Sequence, residues 1–208
     1  KADFMSGFIG FTGIIDRRED VIRKMAERII HRGPNSGGFH YSGENDNDSV
    51  TLGFRRLSII DLSDGSQPMY NEDGSVVIVF NGEIYNFMQL RDELIAKGHI
   101  FKTHCDTEVI IHGYEEWGKK IAEKLRGMFA FVIWDKKTNV LYGARDPFGI
   151  KPFYYTKVKS GLVFGSEIKS FLEHPDFKPE VNENALRPYL TFQYSSLEET
   201  FFKGVFKL

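Results

Sequence analysis

The chain has 208 residues, 41 % of them hydrophobic, which is enough for one sizeable domain, or at most two small ones, with a core that needs no disulfides. A formal net charge of −2, with both signs interspersed, excludes the electrostatic footprint of a nucleic-acid or anionic-membrane binder. No apolar run reaches membrane-spanning length, and the lone Cys105 excludes a disulfide framework, so a cytoplasmic setting is expected.

Residues 1–4 carry no pattern and Met5 reads as an initiator, so residues 1–5 are expected to be a foreign remnant plus start residue. Residues 206–208 end without turn punctuation, which reads as a cut chain. From Ser6 a first strand is predicted, with Phe8 and Phe11 packed. Gly7, Gly10 and Gly13 within it match neither a Walker loop nor a dinucleotide fingerprint.

Val21, Ile22, Met25, Ile29 and Ile30 recur at helical spacing, and Gly33-Pro34 supplies a C′ glycine and a stop. The β-branched segments 49–62 and 75–80 predict strands, the second central because it is apolar throughout; the polar stretch 42–49 is a loop. Residues 86–98, capped by Asn86, and 107–117, capped by Asp106, predict two nearly consecutive helices. The runs 128–134 and 140–144, then 153–156 and 162–164, predict two hairpins. Hairpin-linked strands with grouped helices predict an α+β layered sandwich built on antiparallel sheet.

Several residues admit both a structural and a chemical role. Asn81-Gly82 is a strong two-residue hairpin signal, yet the following residues lead into a helix; a side-chain amide and a glycine N–H at a strand end can also serve an oxyanion. Arg56, within a strand, suits a solvated edge or a bidentate clamp on a carboxylate. Asp106 suits an N-cap or a partner for a substrate ammonium. Cys105 reads as a small buried hydrophobe, and the scattered histidines show no metal spacing, so no metal is expected.

Taken together, several separated runs resemble the glutaminase domain of glutamine-hydrolysing asparagine synthetases. They are His31-Arg32-Gly33-Pro34, Arg56-Leu57-Ser58-Ile59, Gln67-Pro68-Met69, Asn81-Gly82-Glu83-Ile84-Tyr85-Asn86 and Asp106-Thr107-Glu108, followed by Gly127-Met128-Phe129-Ala130-Phe131, the stretch 145–152 and Ser166-Glu167-Ile168-Lys169. The resemblance implies the N-terminal nucleophile hydrolase fold, a four-layer αββα sandwich of two antiparallel sheets, with residues 6–208 forming a class II glutamine amidotransferase domain. It implies Ser6 at the position of the nucleophilic cysteine and Asn81 and Gly82 as oxyanion donors. It also implies Arg56 on the glutamine α-carboxylate, nearby backbone contacts from Leu57 and Ile59, and Glu83 and Asp106 around the substrate amine.

The implied reaction is hydrolysis of L-glutamine to glutamate, with ammonia passed to a C-terminal synthetase domain that uses ATP and magnesium on aspartate and is absent here. This domain itself needs no cofactor, and a homodimer is left open. Two positions depart from the family pattern: Asn35 replaces a common aspartate, and Ser6 replaces the cysteine. Because Met5 precedes Ser6, the Ser6 nitrogen is an amide and cannot act as the base. The expectation is therefore a disabled glutaminase, the alternative being a non-catalytic glutamine-binding or structural module beside a synthetase partner, as the β-lactam synthetases illustrate. Ser6 is either a replacement of a native cysteine or the mark of a degenerate member, and the retained binding motifs favour the first.

Overall fold

A computed structural model describes residues 6–45, 48–57, 65–193 and 198–208. Among these residues ten strands form two antiparallel sheets. The first has the order β10-β8-β9-β1-β3-β2 and is built from β1 (Gly7–Thr12), β2 (Ser36–Ser42), β3 (Val50–Arg56), β8 (Tyr154–Val158), β9 (Gly161–Gly165) and β10 (Val205–Lys207). The second has the order β4-β5-β6-β7, from β4 (Met69–Tyr70), β5 (Val76–Ile84), β6 (Gly127–Asp135) and β7 (Val140–Arg145).

The sheets stack through one apolar layer. Phe8, Leu52, Phe54, Val77, Val79, Ala130, Val132 and Trp134 fill it, each from the alternate position of its strand. The opposite faces are buried as well. Ile9 and Phe11 of β1 turn outward onto Ile22, Met25 and Ala26 of α1 (Arg18–Arg28), onto Ile29 at its C-cap, and onto Phe171 of the 3-10 segment Ile168–Glu173. Ile78 and Phe80 of β5 turn outward onto Leu90 and Leu94 of α2 (Phe87–Ala96) and onto Val109 and Ile110 of α3 (Asp106–Trp117). The architecture is thus a four-layer αββα sandwich. Burial on both faces is why β5 and β6 read as continuous apolar runs and not as alternating ones.

Several local expectations change. Asn81-Gly82 makes no turn: β5 runs straight through it, with Asn81 opposite Ala130 and Gly82 opposite Phe129. Asn86 makes no side-chain cap; its side chain instead accepts from Arg126 N at 2.9 Å and donates to Lys124 O at 2.9 Å, fastening the entrance of β6. Gly33 has φ −148°, not the left-handed geometry of a C′ residue. Its need is space, since a Cβ there would stand 2.4 Å from the Arg55 carbonyl carbon. Strand β2 carries no clear signal because Gly37 and Gly38 dilute its pattern. A short α4 (Ile121–Lys124) precedes β6, and α5 (Glu183–Phe192) is capped by Asn182, which accepts from Ala185 N at 3.4 Å.

Gly10 lies in β1 where a Cβ would meet the buried Phe164 ring at 2.4 Å and Thr51 O at 2.8 Å. Gly10→Ala is expected to destabilise the protein by about 1–3 kcal/mol, read as a lowered urea midpoint with an unchanged slope.

Candidate active site

The inter-sheet layer does not stay apolar to its end. Continuing the inward-facing series by two residues takes Phe8 back to Ser6 just before β1, Phe54 on to Arg56 on β3, Val79 on to Asn81 on β5, and Ala130 back to Met128 on β6. All four of those residues line one cleft of about 370 Å³, together with Leu57, Gly65, Gln67, Gly82, Glu83, Cys105, Asp106, Thr107 and Lys151. The fold therefore gathers Ser6, Arg56, Leu57, Asn81, Gly82, Glu83 and Asp106 at one end of the sandwich. Ile59 lies outside the described residues.

Ser6 is fixed through its main chain and its hydroxyl. Its Oγ accepts from Leu57 N at 3.2 Å, and its carbonyl accepts from Arg32 Nε at 3.2 Å. Arg32 in turn donates through Nη1 to Glu167 Oε1 at 3.0 Å, and the same oxygen accepts from His31 Nε2 at 2.8 Å. Burial alone would raise the Glu167 carboxyl, but hydrogen bonds from Arg32, His31 and Lys169 outweigh it and hold the group below its ordinary range. Beside it, Ser166 N donates to Phe8 O at 2.9 Å and Ser166 Oγ accepts from Phe8 N at 3.0 Å. Two motifs far apart in sequence thus clamp the start of β1.

The free edge of β5 supplies the donors. Ladder bonds from Tyr85 N to Arg126 O at 2.7 Å and from Lys136 N to Ser75 O at 2.9 Å set the phase, so odd-numbered residues of β5 pair with β6 and even-numbered ones face the other edge. There β4 pairs only with Val77 and Ile78. Gln67 then acts as a surrogate strand, its Oε1 accepting from Phe80 N at 2.6 Å and its Nε2 donating to Phe80 O at 3.0 Å. Further on, Asp106 Oδ2 accepts from Ile84 N at 2.9 Å. The Gly82 N–H lies on this edge between these two side chains, and Gly82 lines the cleft. Gly82 must lack a side chain, because a Cβ would stand 2.2 Å from Met128 O. Beside it the Asn81 amide nitrogen is buried without a hydrogen-bond partner among the described residues, the residue being 2 % exposed. A buried unpaired donor costs about 1–3 kcal/mol, and an acceptor entering the cleft can relieve it.

Asp106 is the first residue of α3, and Cys105 holds the N-cap position without a side-chain bond, so the expected Asp106 cap gives way to its bond across to β5. Burial pushes the Asp106 carboxyl up to about 6, with the Glu83 carboxylate adding to the rise. Cys105 is half-buried and lines the cleft, which corrects the reading of it as a buried hydrophobe; its Sγ lies 3.0 Å from Thr103 Oγ1.

Lys151 is a lining residue that sequence reasoning missed. The buried Asp146 carboxylate accepts from Phe129 N at 3.2 Å, Ile150 N at 2.9 Å and Lys151 N at 3.0 Å, winding the loop so that Lys151 enters the cleft while only 3 % exposed. The signal available was a lysine inside a Gly/Pro-punctuated run between two strands. A half-buried hydroxyl, an amide nitrogen unpaired among the described residues, a guanidinium and a carboxylate suit acyl-group chemistry on a small zwitterion.

Comparison with known proteins agrees with this geometry. A family model described as glutamine amidotransferase domain matches residues 5–208. The chain is 46 % identical over 193 residues to asparagine synthetase (glutamine-hydrolyzing) 1 of Bacillus subtilis (strain 168), covering 89 % of this chain and 30 % of that protein. It is 40 % identical over 209 residues to asparagine synthetase (glutamine-hydrolyzing) 3 of the same organism, covering 94 % of this chain and 33 % of that one. It therefore spans about a third of the length of these curated relatives.

Among solved structures, glutamine phosphoribosylpyrophosphate amidotransferase from B. subtilis superimposes with a TM-score of 0.66 at 20 % identity, covering 85 % of this chain and 45 % of that one. An allosteric regulatory enzyme of purine biosynthesis gives 0.65 at 22 %, covering 80 % and 43 %. The fold is that of the N-terminal nucleophile hydrolases. The chain belongs to the glutamine amidotransferase domain family, and its relatives at 40–46 % identity are glutamine-hydrolysing asparagine synthetases.

The raised Asp106 carboxyl has a consequence for stability. Its contribution is fully present below the ordinary value of 3.8, where folded and unfolded carboxyls are both protonated, and is lost as pH rises through about 6 and the buried group must ionise. Asp106→Asn is expected to remove this loss, so that wild type falls relative to the variant by on the order of 2 kcal/mol between pH 4 and pH 7 in urea titrations. Parallel stability curves for the two proteins would exclude a buried, raised carboxyl.

Proposed function

We propose that this chain is the glutamine-hydrolysing part of an asparagine synthetase, carrying a serine at its nucleophile position. The observation that carries this reading is the Asn81 amide nitrogen, buried and without a partner among the described residues in the same cleft as the Ser6 hydroxyl, with the Gly82 N–H on the adjoining strand edge. In this reading the nucleophile on residue 6 attacks the side-chain carbonyl carbon of L-glutamine, and the developing oxyanion takes hydrogen bonds from Asn81 Nδ2 and Gly82 N. The α-amine of residue 6 takes the nucleophile's proton and returns it to the leaving nitrogen, the C–N bond breaks, and ammonia departs. Water then hydrolyses the γ-glutamyl intermediate, giving glutamate and restoring the nucleophile.

Arg56 holds the α-carboxylate of glutamine as a planar fork, with backbone groups of Leu57 and Ile59 beside it. Asp106, with Glu83, receives the α-ammonium, whose charge lowers the Asp106 carboxyl from its raised value and keeps it ionised. Ammonia passes to the synthetase part of the longer protein, which adds it to aspartate with ATP and magnesium in the cytoplasm.

With Met5 attached, the base is an amide, and the serine hydroxyl is far less acidic than a thiol of pKa about 8.5. Ser6 and its blocked nitrogen favour a second reading for the chain as it stands, a module that binds glutamine without hydrolysing it. The two readings separate in one experiment. A Ser6→Cys protein beginning at that residue is expected to release ammonia from glutamine, while the unaltered chain stays near background. A folded but silent Cys protein that still binds glutamine by calorimetry would leave the binding module as the answer. In the activated protein, Asn81→Asp is expected to lower the hydrolysis rate by about 10²- to 10³-fold with little change in Tm, because an acceptor and a charge replace a donor. Unchanged hydrolysis would remove the oxyanion role.

A further inference from the structure

The six histidines are scattered along the sequence, but folding brings two of them together outside the lining of the Ser6 cleft. His99 follows α2, and His112 and Glu115 lie one turn apart on α3. One nitrogen of each imidazole and one carboxylate oxygen of Glu115 lie within 4.8 Å of one another. His112 Nδ1 is 2.8 Å from Glu115 Oε2, and His99 Nδ1 is 3.8 Å from the same oxygen.

The surroundings have the pattern that orients metal ligands, in which the second nitrogen of each ligating imidazole faces a carboxylate. His99 Nε2 lies 3.2 Å from Glu116 Oε2. His112 Nε2 faces Glu72 Oε1 and Glu108 Oε1, each at 3.6 Å. Asn71 Nδ2 donates to Glu115 Oε1 at 2.7 Å, fixing the rotation of that carboxylate. The edge of the Phe101 ring closes one side, its centroid 4.7 Å from that of His112. Four carboxylates surround the two imidazoles, and Lys97, 3.0 Å from Glu116 Oε1, is the cation paired at the rim.

The imidazole of His112 is the telling group. Its side chain is 2 % exposed, and its Nε2 has no hydrogen-bond partner among the described residues. If the neutral ring donates from Nδ1 to Glu115, then Nε2 is a bare acceptor facing two carboxylates. An ion bound at Nδ1 moves the ring proton to Nε2, where those carboxylates can receive it.

We propose that His99, His112 and Glu115 form a binding site for one divalent transition-metal ion of the zinc type, through both Nδ1 atoms and the Glu115 carboxylate. Two imidazoles and a carboxylate are an established zinc donor set, with a water completing the tetrahedron. Bonds of about 2.0–2.1 Å place tetrahedral donors about 3.4 Å apart, so the side chains close by little more than an ångström when the ion enters. The ion would staple the end of α2 to α3 and, through Asn71 and Glu115, to the turn between β4 and β5. Because α3 begins at Asp106, the staple would also steady one wall of the glutamine amidotransferase cleft.

The full chain, freed of metal with a chelator, is titrated with Zn²⁺ by calorimetry and with Co²⁺ by visible absorption. One ion per chain is expected, with tetrahedral Co²⁺ bands and a rise in Tm. His99→Gln, at a partly exposed position that should fold normally, is expected to weaken Zn²⁺ binding by about a hundredfold or more, and Glu116→Gln by about 10- to 100-fold. Cys105→Ser should bind as wild type does. The proposal is overturned if no ion is taken up, if His99→Gln and Glu115→Gln bind with wild-type affinity, or if Cys105→Ser abolishes binding.

Discussion

Everything in this molecule hangs on the two-residue period of strands whose inner faces share a single layer. Phe8, Phe54, Val79 and Ala130 make that layer dry, and the next inward positions at one end make it polar at Ser6, Arg56 and Asn81. A shift of one residue in the register of β1, β3 or β5 would carry both the dry residues and the polar ones to the wrong face. The site is thus specified by the same pairing that specifies the core, and no mobile loop has to bring Ser6 and Asn81 together. The long pairing of β5 with β6 and the double pairing of β1 with β3 and β9 make that register rigid.

Placing polar groups at the end of a dry layer requires that each neighbouring main-chain group be satisfied, or kept open for a ligand. The side chains in the recurring motifs do this. Gln67 satisfies Phe80, Asp106 satisfies Ile84, Asn86 ties Arg126, and Asp146 gathers the loop that presents Lys151. Glu108 belongs to the same class, accepting from Lys102 N and Thr103 N at 2.7 Å each and so fastening the segment that carries Cys105 and Asp106. Buried hydrogen bonds to ionised groups contribute about 1.5–3 kcal/mol each, so such a scaffold can hold a few donors unpaired.

Much of this was legible in the sequence. Helix α1 announced itself through Ile22, Met25 and Ile29, and both hairpins, β6–β7 and β8–β9, through apolar runs broken by polar turns. The separated motifs identified the family, and seven of the eight residues they pointed to meet in one cleft. Local rules failed where tertiary contacts outbid them. Asn81-Gly82 has the chemistry of a tight turn, yet its neighbours on β6 extend the strand through it. Asn86 and Asp106 have the chemistry of caps, yet each finds a better partner across the fold. Gly33 looks like a helix stop, but its requirement is close approach to β3. The neighbourhood of His99 with His112 has no sequence signal, because it depends on how α2 packs on α3.

The dressing of β5 also decides what sort of molecule can approach it. An uncovered strand edge invites a second strand, and with it aggregation or capture of extended peptides. Along β5 that invitation is withdrawn on both sides of Gly82, by the Gln67 amide before it and the Asp106 carboxylate after it. Among the described residues the remaining opening is one residue wide, too short for a β-ladder to start, yet wide enough for one oxygen atom. The edge therefore sorts by size and shape: an extended chain finds no ladder to join there, and the room beside Gly82 is that of a compact group.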